Sequence, residues 1–357
     1  MTRRHPALAR TEAFAAAYGL RRPLLLAPMA GACPPALSLA VMRAGGLGAC
    51  GALLMQPAAI LAWAEAVRAV GPFQINLWIP DPAPVRDPAQ EARLRAFLGG
   101  FGPAVAPEAG DATPPDFSDQ CEAVIEARPR IVSSIMGLYP PDLVARLKAR
   151  GIAWWATVTT VAEALAAEAA GADAVVAQGA EAGGHRGSFD PAKAETSAIG
   201  LMALLPAVVD AVRIPVIATG GIADARGAAA ALLLGASAVQ VGTGFLRCPE
   251  AGIPAPWADA LGRARPEDTR LTRAFSGRAG RSLATEYVAA AAAPDAPAPA
   301  PYPVQRGLTQ AMREAAAKAG DLGRMQAWAG QAAGLARAVP AGEVVVEIWD
   351  GVAETLG

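Results

Sequence analysis

The chain has 357 residues, of which 53% are hydrophobic and 18% are charged. That length could hold two average domains, but α/β barrels often exceed about 250 residues as one unit, so we expect a single domain over 1–357. Lys and Arg together number 31 and Asp and Glu number 32. This balance excludes a whole-chain electric field that would recruit nucleic acid or an anionic membrane, and it favours a small-molecule ligand.

The cysteines and histidines exclude two further classes of site. The four cysteines lie far apart without a CxxC pair, which argues against a zinc knuckle or a disulfide framework and indicates a reducing, cytoplasmic setting. The two histidines, His5 and His185, are too distant to give a metal-binding set of the usual spacing, so we expect no metal. The uncharged stretches 23–42 and 227–246 lack the pattern of a membrane span, because prolines interrupt the first and the second changes from helical to strand-like.

Short apolar runs alternate with helical segments along most of the chain. Eight runs predict strands, at 23–28, 46–50, 73–77, 130–134, 153–157, 174–177, 216–219 and 238–241. Helical patterns lie between them, at 35–44, 57–70, 141–150, 161–170, 198–212 and 223–234. Eight tandem β/α units predict an α/β fold of the (β/α)₈ TIM-barrel type. A doubly wound sheet stays open as the alternative, although no GxGxxG follows the first strand.

Three segments depart from a minimal barrel. Residues 79–128 predict an insertion after the third strand, on the active-site side. Residues 289–301 are of low complexity and too poor in large apolar groups to pack, so we expect an extended surface connector. Residues 302–357 predict a C-terminal helical extension, with helices at 306–320 and 322–338 that cover the barrel over its mouth or along its side.

Two glycine-rich turns follow the seventh and eighth predicted strands. Gly220 and Gly221 end the first strand and precede a helix, so backbone N–H groups can approach an anion at the helix N-terminus. After the next strand, Gly242 is followed by Thr243, whose hydroxyl is a further donor. Barrel phosphate sites usually form from the loops after these two strands, so the pair predicts a phosphate cradle.

The sequence QGAEAGGHRG follows the sixth predicted strand and contains His185. Gln178 can donate and accept hydrogen bonds, and Gly183 permits close backbone approach. Histidine can serve as acid, base or hydrogen-bond donor near neutral pH. A lone loop histidine is normally a solvated one, but the position at the catalytic end of a barrel strand favours a chemical role for His185.

The ends of the first and third predicted strands carry a fourth group of candidate residues. Ala27, Pro28 and Met29 form a small apolar edge suited to a flat ring, and the Asn76 carboxamide can pair with a ring imide or a ribityl hydroxyl. Each could equally be structural. Barrel geometry brings these strand ends to the same mouth as the glycine turns and His185.

These motifs together resemble the nitronate monooxygenases, formerly called 2-nitropropane dioxygenases. The resemblance rests on APMAG, INLW, GADAVVAQGAEAGGHRG, IPVIATGGIAD, AVQVGTGFL, FSGR and YPVQ, and it runs from about residue 23 to residue 341. It implies oxidation of small alkyl nitronates, such as propionate 3-nitronate, by FMN and O₂ to a carbonyl compound and nitrite. His185 matches the family's active-site histidine, and Tyr302 is placed at the substrate pocket. The implied FMN-binding residues are Ala27, Pro28, Met29, Asn76, Gln178, Gly183, Gly220, Gly221, Gln240, Val241, Gly242 and Thr243.

The resemblance leaves alternatives open. One alternative is an FMN- and NAD(P)H-dependent enoyl-acyl-carrier-protein reductase on the same barrel, which carries a similar GGH loop. Another is a flavin-binding protein without turnover. We expect a monomer or homodimer whose partners are a small nitronate and O₂, with no nucleic acid and no membrane. The physiological nitronate, the acceptance of neutral nitroalkanes and the resting protonation of His185 stay open at this stage.

Overall fold

The described residues, 5–357, come from a computed structural model with a barrel of parallel strands at its centre. In chain order the strands are β1 (Leu24–Leu26), β2 (Gly48–Gly51), β3 (Phe73–Trp78), β4 (Ile131–Ile135), β5 (Ala153–Val158), β6 (Ala174–Gln178), β7 (Gly184–His185), β8 (Val216–Thr219), β9 (Ala238–Val241), β10 (Thr269–Thr272) and β11 (Gly280–Leu283). Strands β10, β11 and β7 form a small antiparallel sheet. The other eight pair in the order β1-β9-β8-β6-β5-β4-β3-β2.

The eight-stranded sheet closes on itself between β1 and β2. Leu25 and Leu47 form a parallel bridge, and the Leu26 amide donates to the Leu47 carbonyl at 3.0 Å. A closed parallel sheet confirms the predicted TIM barrel and excludes the doubly wound alternative, whose edge strands stay unpaired. The predicted strands agree with the observed ones to about two residues at each end, the usual uncertainty of element bounds.

The helices surround this barrel and carry recognisable start signals. Proline occupies the first turn of α2, α3 and α6, where its missing N–H costs nothing. The helices are α1 (Pro6–Tyr18), α2 (Pro35–Arg43), α3 (Pro57–Val67), α4 (Pro88–Leu98), α5 (Phe117–Ala127), α6 (Pro141–Lys148), α7 (Val161–Ala169), α8 (Leu201–Ala211), α9 (Ala225–Leu233), α10 (Ala255–Leu261), α11 (Glu286–Ala290), α12 (Val304–Leu308), α13 (Gln310–Ala319) and α14 (Ala341–Leu356). Short 3₁₀ turns lie at Pro107–Asp111, Thr243–Phe245, Pro249–Ala251, Pro266–Asp268 and Ala333–Leu335.

Helix α1 closes the amino-terminal end of the barrel. Its Phe14 and Tyr18 rings pack against Trp155 of β5, with ring centroids 5.6 Å and 4.9 Å away. The Trp155 indole N–H also donates to the Tyr18 hydroxyl at 3.0 Å. Because this end is filled by side chains, a ligand can enter the barrel only from the carboxyl ends of the strands.

Helix α14 is the outer helix of the eighth β/α unit rather than an appendage. It packs between α9 and α2, the helices of the seventh and first units. Residues 242–340 are therefore a long excursion between the eighth strand and its helix. The excursion carries β10, β11 and α10 to α13, and it covers the carboxyl end of the barrel. The predicted C-terminal cover is confirmed for this part, whereas α14 packs on the side.

The prediction of a helix at 322–338 is wrong. That segment pairs with β11 instead: the Leu283 amide donates to the Ala327 carbonyl at 2.9 Å, and the Ala329 amide donates to the Arg281 carbonyl at 3.2 Å. Gly330 and Gly334 weaken any helix there. The real helix, α14, has the start signals of Pro340 and an acidic residue in its first turn.

The segment after β3 contains both inserted and regular elements. Helix α4 and the 3₁₀ turn Pro107–Asp111 pack with α12 of the cover, whereas α5 packs on α3 as the outer helix of the third unit. In 289–301 the chain completes α11 at Ala290, makes turns as far as residue 296 and then continues without regular secondary structure. Ala300 is buried there, and its amide donates to the Gln305 side chain at 2.9 Å.

Candidate active site

A cavity of about 390 Å³ lies between the carboxyl ends of the barrel strands and the cover. Its floor comes from the ends of β1, β3, β6, β8 and β9, and its roof from residues 306–332. The predicted site residues that line it are Ala27, Pro28, Met29, Asn76, Gln178, Gly183, His185, Gly220, Gly221, Gln240, Gly242 and Thr243. Val241 and Tyr302 do not line it. The Val241 side chain is fully buried on the helix side of the barrel wall.

The glycine turns after β8 and β9 form one concave backbone surface. Gly220 and Gly221 have φ values of 105° and 70°, which a side chain rarely adopts. A Cβ atom on Gly220 would lie 3.1 Å from the Ala182 amide nitrogen. A Cβ on Gly183 would lie 2.5 Å from the Gly330 nitrogen and 2.8 Å from the Thr243 hydroxyl. The glycines allow these turns to pack closely against the neighbouring loops, so the hollow between them is lined by backbone whose N–H groups can face an anion.

Three of the amide side chains that line the cavity belong to barrel strands, and each leaves different hydrogen-bonding groups free. Gln178 uses both ends of its carboxamide to hold the loop after β6: Nε2 donates to the His185 carbonyl at 3.0 Å, and Oε1 accepts from the Gly187 amide at 2.8 Å. Asn76 Nδ2 donates to Ser133 at 3.0 Å. Gln240 Oε1 accepts from Gln74 at 3.2 Å. The Asn76 oxygen and the Gln240 nitrogen are thus left as groups for a ligand.

His185 is held by strand pairing and by a hydroxyl. It lies on β7, opposite Gly280 of β11 in the small sheet. Its Nε2 is 2.7 Å from the Ser276 hydroxyl oxygen. The Ser276 hydroxyl also contacts the Arg278 carbonyl at 3.2 Å and the Arg278 amide at 3.3 Å, which fixes it in the FSGR turn. The imidazole therefore has one nitrogen anchored and its other edge available to the cavity.

The surroundings of His185 disfavour its protonated form. Burial, followed by the positive charges of Arg278 and Arg306, lowers the pKa of His185 to about 3. The part of the ring that is exposed faces the enclosed cavity rather than bulk solvent. The imidazole is consequently neutral at physiological pH, and it can donate one hydrogen bond and accept another.

Two tryptophans flank the imidazole. The Trp78 ring lies 4.8 Å from the His185 ring and meets it edge to face, and the Trp328 ring lies 5.0 Å away. Tyr302 stacks on Trp78 at 5.0 Å, one ring removed from the cavity, so its contact with a substrate stays a prediction. The Trp78 Nε1 and the Tyr302 hydroxyl are buried and have no hydrogen-bond partner in residues 5–357.

Arg278 is a buried cation behind this aromatic group. Its Nε donates to Asp81 at 2.8 Å and its Nη1 donates to the Ser188 carbonyl at 3.0 Å. The guanidinium carbon lies 5.8 Å from the centre of the Trp78 ring, within the range of a cation–π interaction. Arg278 is therefore fully partnered, and it links the FSGR turn to the segment after β3.

Arg306 differs from Arg278 because its guanidinium has no partner. Arg306 lines the cavity, yet its side chain makes no hydrogen bond or ion pair with residues 5–357. The Arg306 side chain is half-buried, and this burial lowers the pKa of Arg306 from its usual value. The neighbouring Arg313 is held by Thr309, Gln326 and the Arg306 carbonyl. Among the cavity-lining residues, Arg306 is the cation left for a ligand.

Ser276, Arg306 and Trp328 were not among the sequence candidates. The FSGR and YPVQ motifs contributed to the resemblance, but nothing in their spacing indicated which residues face the cavity. Cys33, Cys50, Cys121 and Cys248 are free and buried. Over residues 5–357 there is no group of three His, Cys, Asp or Glu residues that could hold a metal ion. Over the same range, no helix is long and apolar enough to cross a membrane.

Comparison with known proteins identifies the family. The family model described as nitronate monooxygenase matches residues 13–351. The chain belongs to the nitronate monooxygenase family. It is 40% identical to a nitronate monooxygenase of Paraburkholderia phytofirmans, with 92% of each chain covered. It is 41% identical to one of Pseudomonas aeruginosa, with 94% of this chain and 97% of the relative covered. The resemblance predicted from the motifs is thereby confirmed.

Solved structures agree with membership of this flavin-dependent oxidoreductase family. A nitroalkane oxidase from Streptomyces ansochromogenes superposes with a TM-score of 0.85 at 37% identity, covering 94% of this chain and 96% of its own. FabK from Thermotoga maritima is more distant, with a TM-score of 0.73 at 28% identity over 99% and 97% of the two chains. The enoyl reductase domain of MlnA from Bacillus amyloliquefaciens has a TM-score of 0.64 at 13% identity over 97% of each chain, which shows the fold alone.

Proposed function

We propose that the protein uses FMN and O₂ to oxidise small alkyl nitronates, propionate 3-nitronate among them, to a carbonyl compound and nitrite. The observation that carries the proposal is the pairing of a neutral imidazole, His185, with an unpartnered guanidinium, Arg306, in one cavity. A nitronate is an anion that accepts hydrogen bonds through its oxygens. Such a cavity offers it a hydrogen-bond donor and a positive field together.

The residues present fit FMN. The hollow at Gly183, Gly220 and Gly221 fits a phosphate group, because backbone N–H groups line it and side chains at these positions would collide with the adjoining loops. The small edge formed by Ala27, Pro28 and Met29 leaves room for a flat ring system beside β1. The free oxygen of Asn76 and the free nitrogen of Gln240 can hydrogen-bond polar edges of the ring or the ribityl chain. Bound FMN supplies the electron acceptor that the side chains themselves lack.

The side chains then have distinct tasks. His185 donates a hydrogen bond to a nitronate oxygen and orients the reacting carbon, while Ser276 holds the other side of the imidazole. Trp78 and Trp328 pack against His185 and exclude water from it, which strengthens the electrostatic interactions inside the cavity. Arg306 attracts the anion and binds a carboxylate on its carbon chain, if the nitronate carries one.

The proposal is tested with the purified, flavin-loaded protein. The released flavin is identified chromatographically, and the protein is mixed anaerobically with propionate 3-nitronate or with NADH while the visible spectrum is followed. We expect FMN, flavin reduction by the nitronate alone, and release of nitrite when O₂ is admitted. Reduction by NADH without any response to the nitronate would instead support the enoyl reductase predicted as the alternative.

Distorting the glycine hollow should weaken FMN binding. The change Gly220→Ala places a side chain at a φ of 105° and 3.1 Å from the Ala182 nitrogen, so the backbone of the cradle must move. We expect FMN affinity to fall by about tenfold or more, a loss of about 1.4 kcal/mol or more, so that the variant releases flavin during purification. Flavin absorbance per protein measures this. The matched control is Gly227→Ala on α9, where a Cβ meets no atom closer than 3.6 Å; equal flavin loss in both variants would contradict the cradle.

Ser276 should act by positioning His185. The change Ser276→Ala removes the one hydrogen bond that the imidazole makes within residues 5–357 and leaves the ring freer to rotate between the two tryptophans. We expect kcat to fall by about fivefold while flavin content is retained, since one neutral hydrogen bond contributes about 1 kcal/mol. Stopped-flow reduction by nitronate gives the rate constant. A role for Ser276 in folding alone would lower the unfolding temperature and leave this rate unchanged.

A further inference from the structure

A second cleft lies at the opposite end of the barrel from the cavity. It has a volume of about 370 Å³ and is formed by the loops that precede β3, β4 and β5. Four arginines line it, namely Arg68, Arg128, Arg130 and Arg150. We call it the arginine cleft. Since the whole chain has a net charge of only −1, this concentration of positive charge is a local feature.

Most of the positive charge in the arginine cleft is not neutralised by protein. Arg68 pairs with Glu65 at 2.8 Å. Arg130 donates to the Ala17 carbonyl at 2.7 Å, and Arg150 donates to the Arg146 carbonyl at 3.2 Å. Carbonyl contacts leave most of the five N–H donors of each guanidinium unused. Within residues 5–357, three of the four arginines therefore form no ion pair.

The Arg128 side chain makes no hydrogen bond or ion pair with residues 5–357, and the Arg128 backbone is unusual. It ends α5 with φ 47° and ψ 54°, the left-handed conformation that glycine adopts most readily at this position of a helix. Pro129 follows and extends the chain toward β4. A glycine here would relieve the backbone strain, so the arginine is not required by the conformation of this turn.

We propose that the arginine cleft binds a small molecule with a diphosphate group, such as a nucleoside diphosphate. Guanidinium groups bind phosphate oxygens through paired hydrogen bonds, and three uncompensated cations match the charge of about −3 on a diphosphate. The cleft volume lies in the range of small-ligand sites, about 300–1,000 Å³. The site is separate from the active-site cavity, and it does not depend on the proposed function.

The test uses the flavin-saturated protein, in which the glycine hollow of the active site is already filled, and pyrophosphate as the probe in a calorimetric titration. We expect one saturable site that weakens as salt is raised, and weaker binding of inorganic phosphate. The double change Arg128→Gln with Arg150→Gln should lower the pyrophosphate affinity by about tenfold or more. Arg93→Gln, which removes an exposed arginine of α4, should leave it unchanged. No saturable binding, or equal binding by the double variant, would overturn the proposal.

A second variant separates binding from folding. Arg128→Gly suits the left-handed backbone, so its unfolding temperature without ligand should equal or exceed the wild-type value by about 1–2 °C. The same variant should bind pyrophosphate several-fold more weakly. A glycine variant that is well folded and binds pyrophosphate as strongly as the wild type would remove Arg128 from the site and contradict the inference.

Discussion

The variant His185→Asn should retain its FMN and lose most of its nitronate turnover. Asparagine keeps a polar group in the loop but cannot reach Ser276 and a substrate at the same time, since its side chain is shorter than the imidazole. We expect kcat/KM for propionate 3-nitronate to fall by about 10²- to 10⁴-fold, the range for a positioned acid, base or hydrogen-bonding group. Initial rates of nitrite formation measure the loss, and flavin absorbance per protein measures retention.

The chain supplies its own control for this experiment. His5, the other histidine, accepts a hydrogen bond from the Ala7 amide at 3.2 Å and caps α1, at the closed end of the barrel. Asparagine is a favourable residue at a helix N-cap, so His5→Asn should leave flavin content and turnover at wild-type values. Unchanged turnover in His185→Asn would exclude His185 from the mechanism.

The pKa of His185 also predicts how the reaction depends on pH. Because that pKa is about 3, the imidazole does not change its protonation between about pH 5 and about pH 9, and it contributes no inflection to the pH–rate profile there. The effect of pH on stability is opposite to that of a histidine whose pKa is raised by a carboxylate partner. The ordinary value is 6.5, so the unfolded chain is protonated first, and the fold loses stability as pH falls from 6.5 toward about 3.

The barrel and the floor of the cavity were predictable because both follow from local patterns. Parallel strands buried on two faces give continuous apolar runs, and the glycine turns follow β8 and β9 directly in the sequence. The alternation of side chains along a strand could have corrected the prediction for one residue, Val241. Gln240 faces the cavity, so Val241, the next residue of β9, faces the surrounding helices. The run Gln240 to Thr243 was predicted as a continuous binding segment without that distinction.

The roof of the cavity was not predictable in the same way. Arg306 and Trp328 lie in the excursion between β9 and α14, whose path over the barrel depends on long-range pairing with β11 and not on local periodicity. The pairing of β7 with β11 involves two residues on β7, too few to show an alternating pattern. The contact between His185 and Ser276 joins residues 91 positions apart, and it exists only because that pairing forms.

Removing the charge of Arg306 should separate two kinds of substrate. Propionate 3-nitronate carries a carboxylate as well as the nitronate, whereas ethylnitronate carries the nitronate alone. In Arg306→Met we expect kcat/KM for propionate 3-nitronate to fall by about 10- to 100-fold, mainly through KM, because a hydrogen bond to a charged group contributes about 1.5–3 kcal/mol. For ethylnitronate the fall should be about threefold or less, since only the long-range attraction to one negative charge is lost.

Arg306→Lys is the matched variant, because it keeps the charge and loses the planar guanidinium. It should recover part of the affinity for propionate 3-nitronate and behave as the wild type with ethylnitronate. An equal loss for both nitronates in Arg306→Met would mean that Arg306 acts on the nitronate group itself or on the folding of the cover. Circular dichroism and flavin content distinguish these two, since a disturbed cover would also lower the unfolding temperature. The selective loss is expected because Arg313 is already held by three hydrogen bonds within the cover, which leaves Arg306 as the cation free to meet a carboxylate.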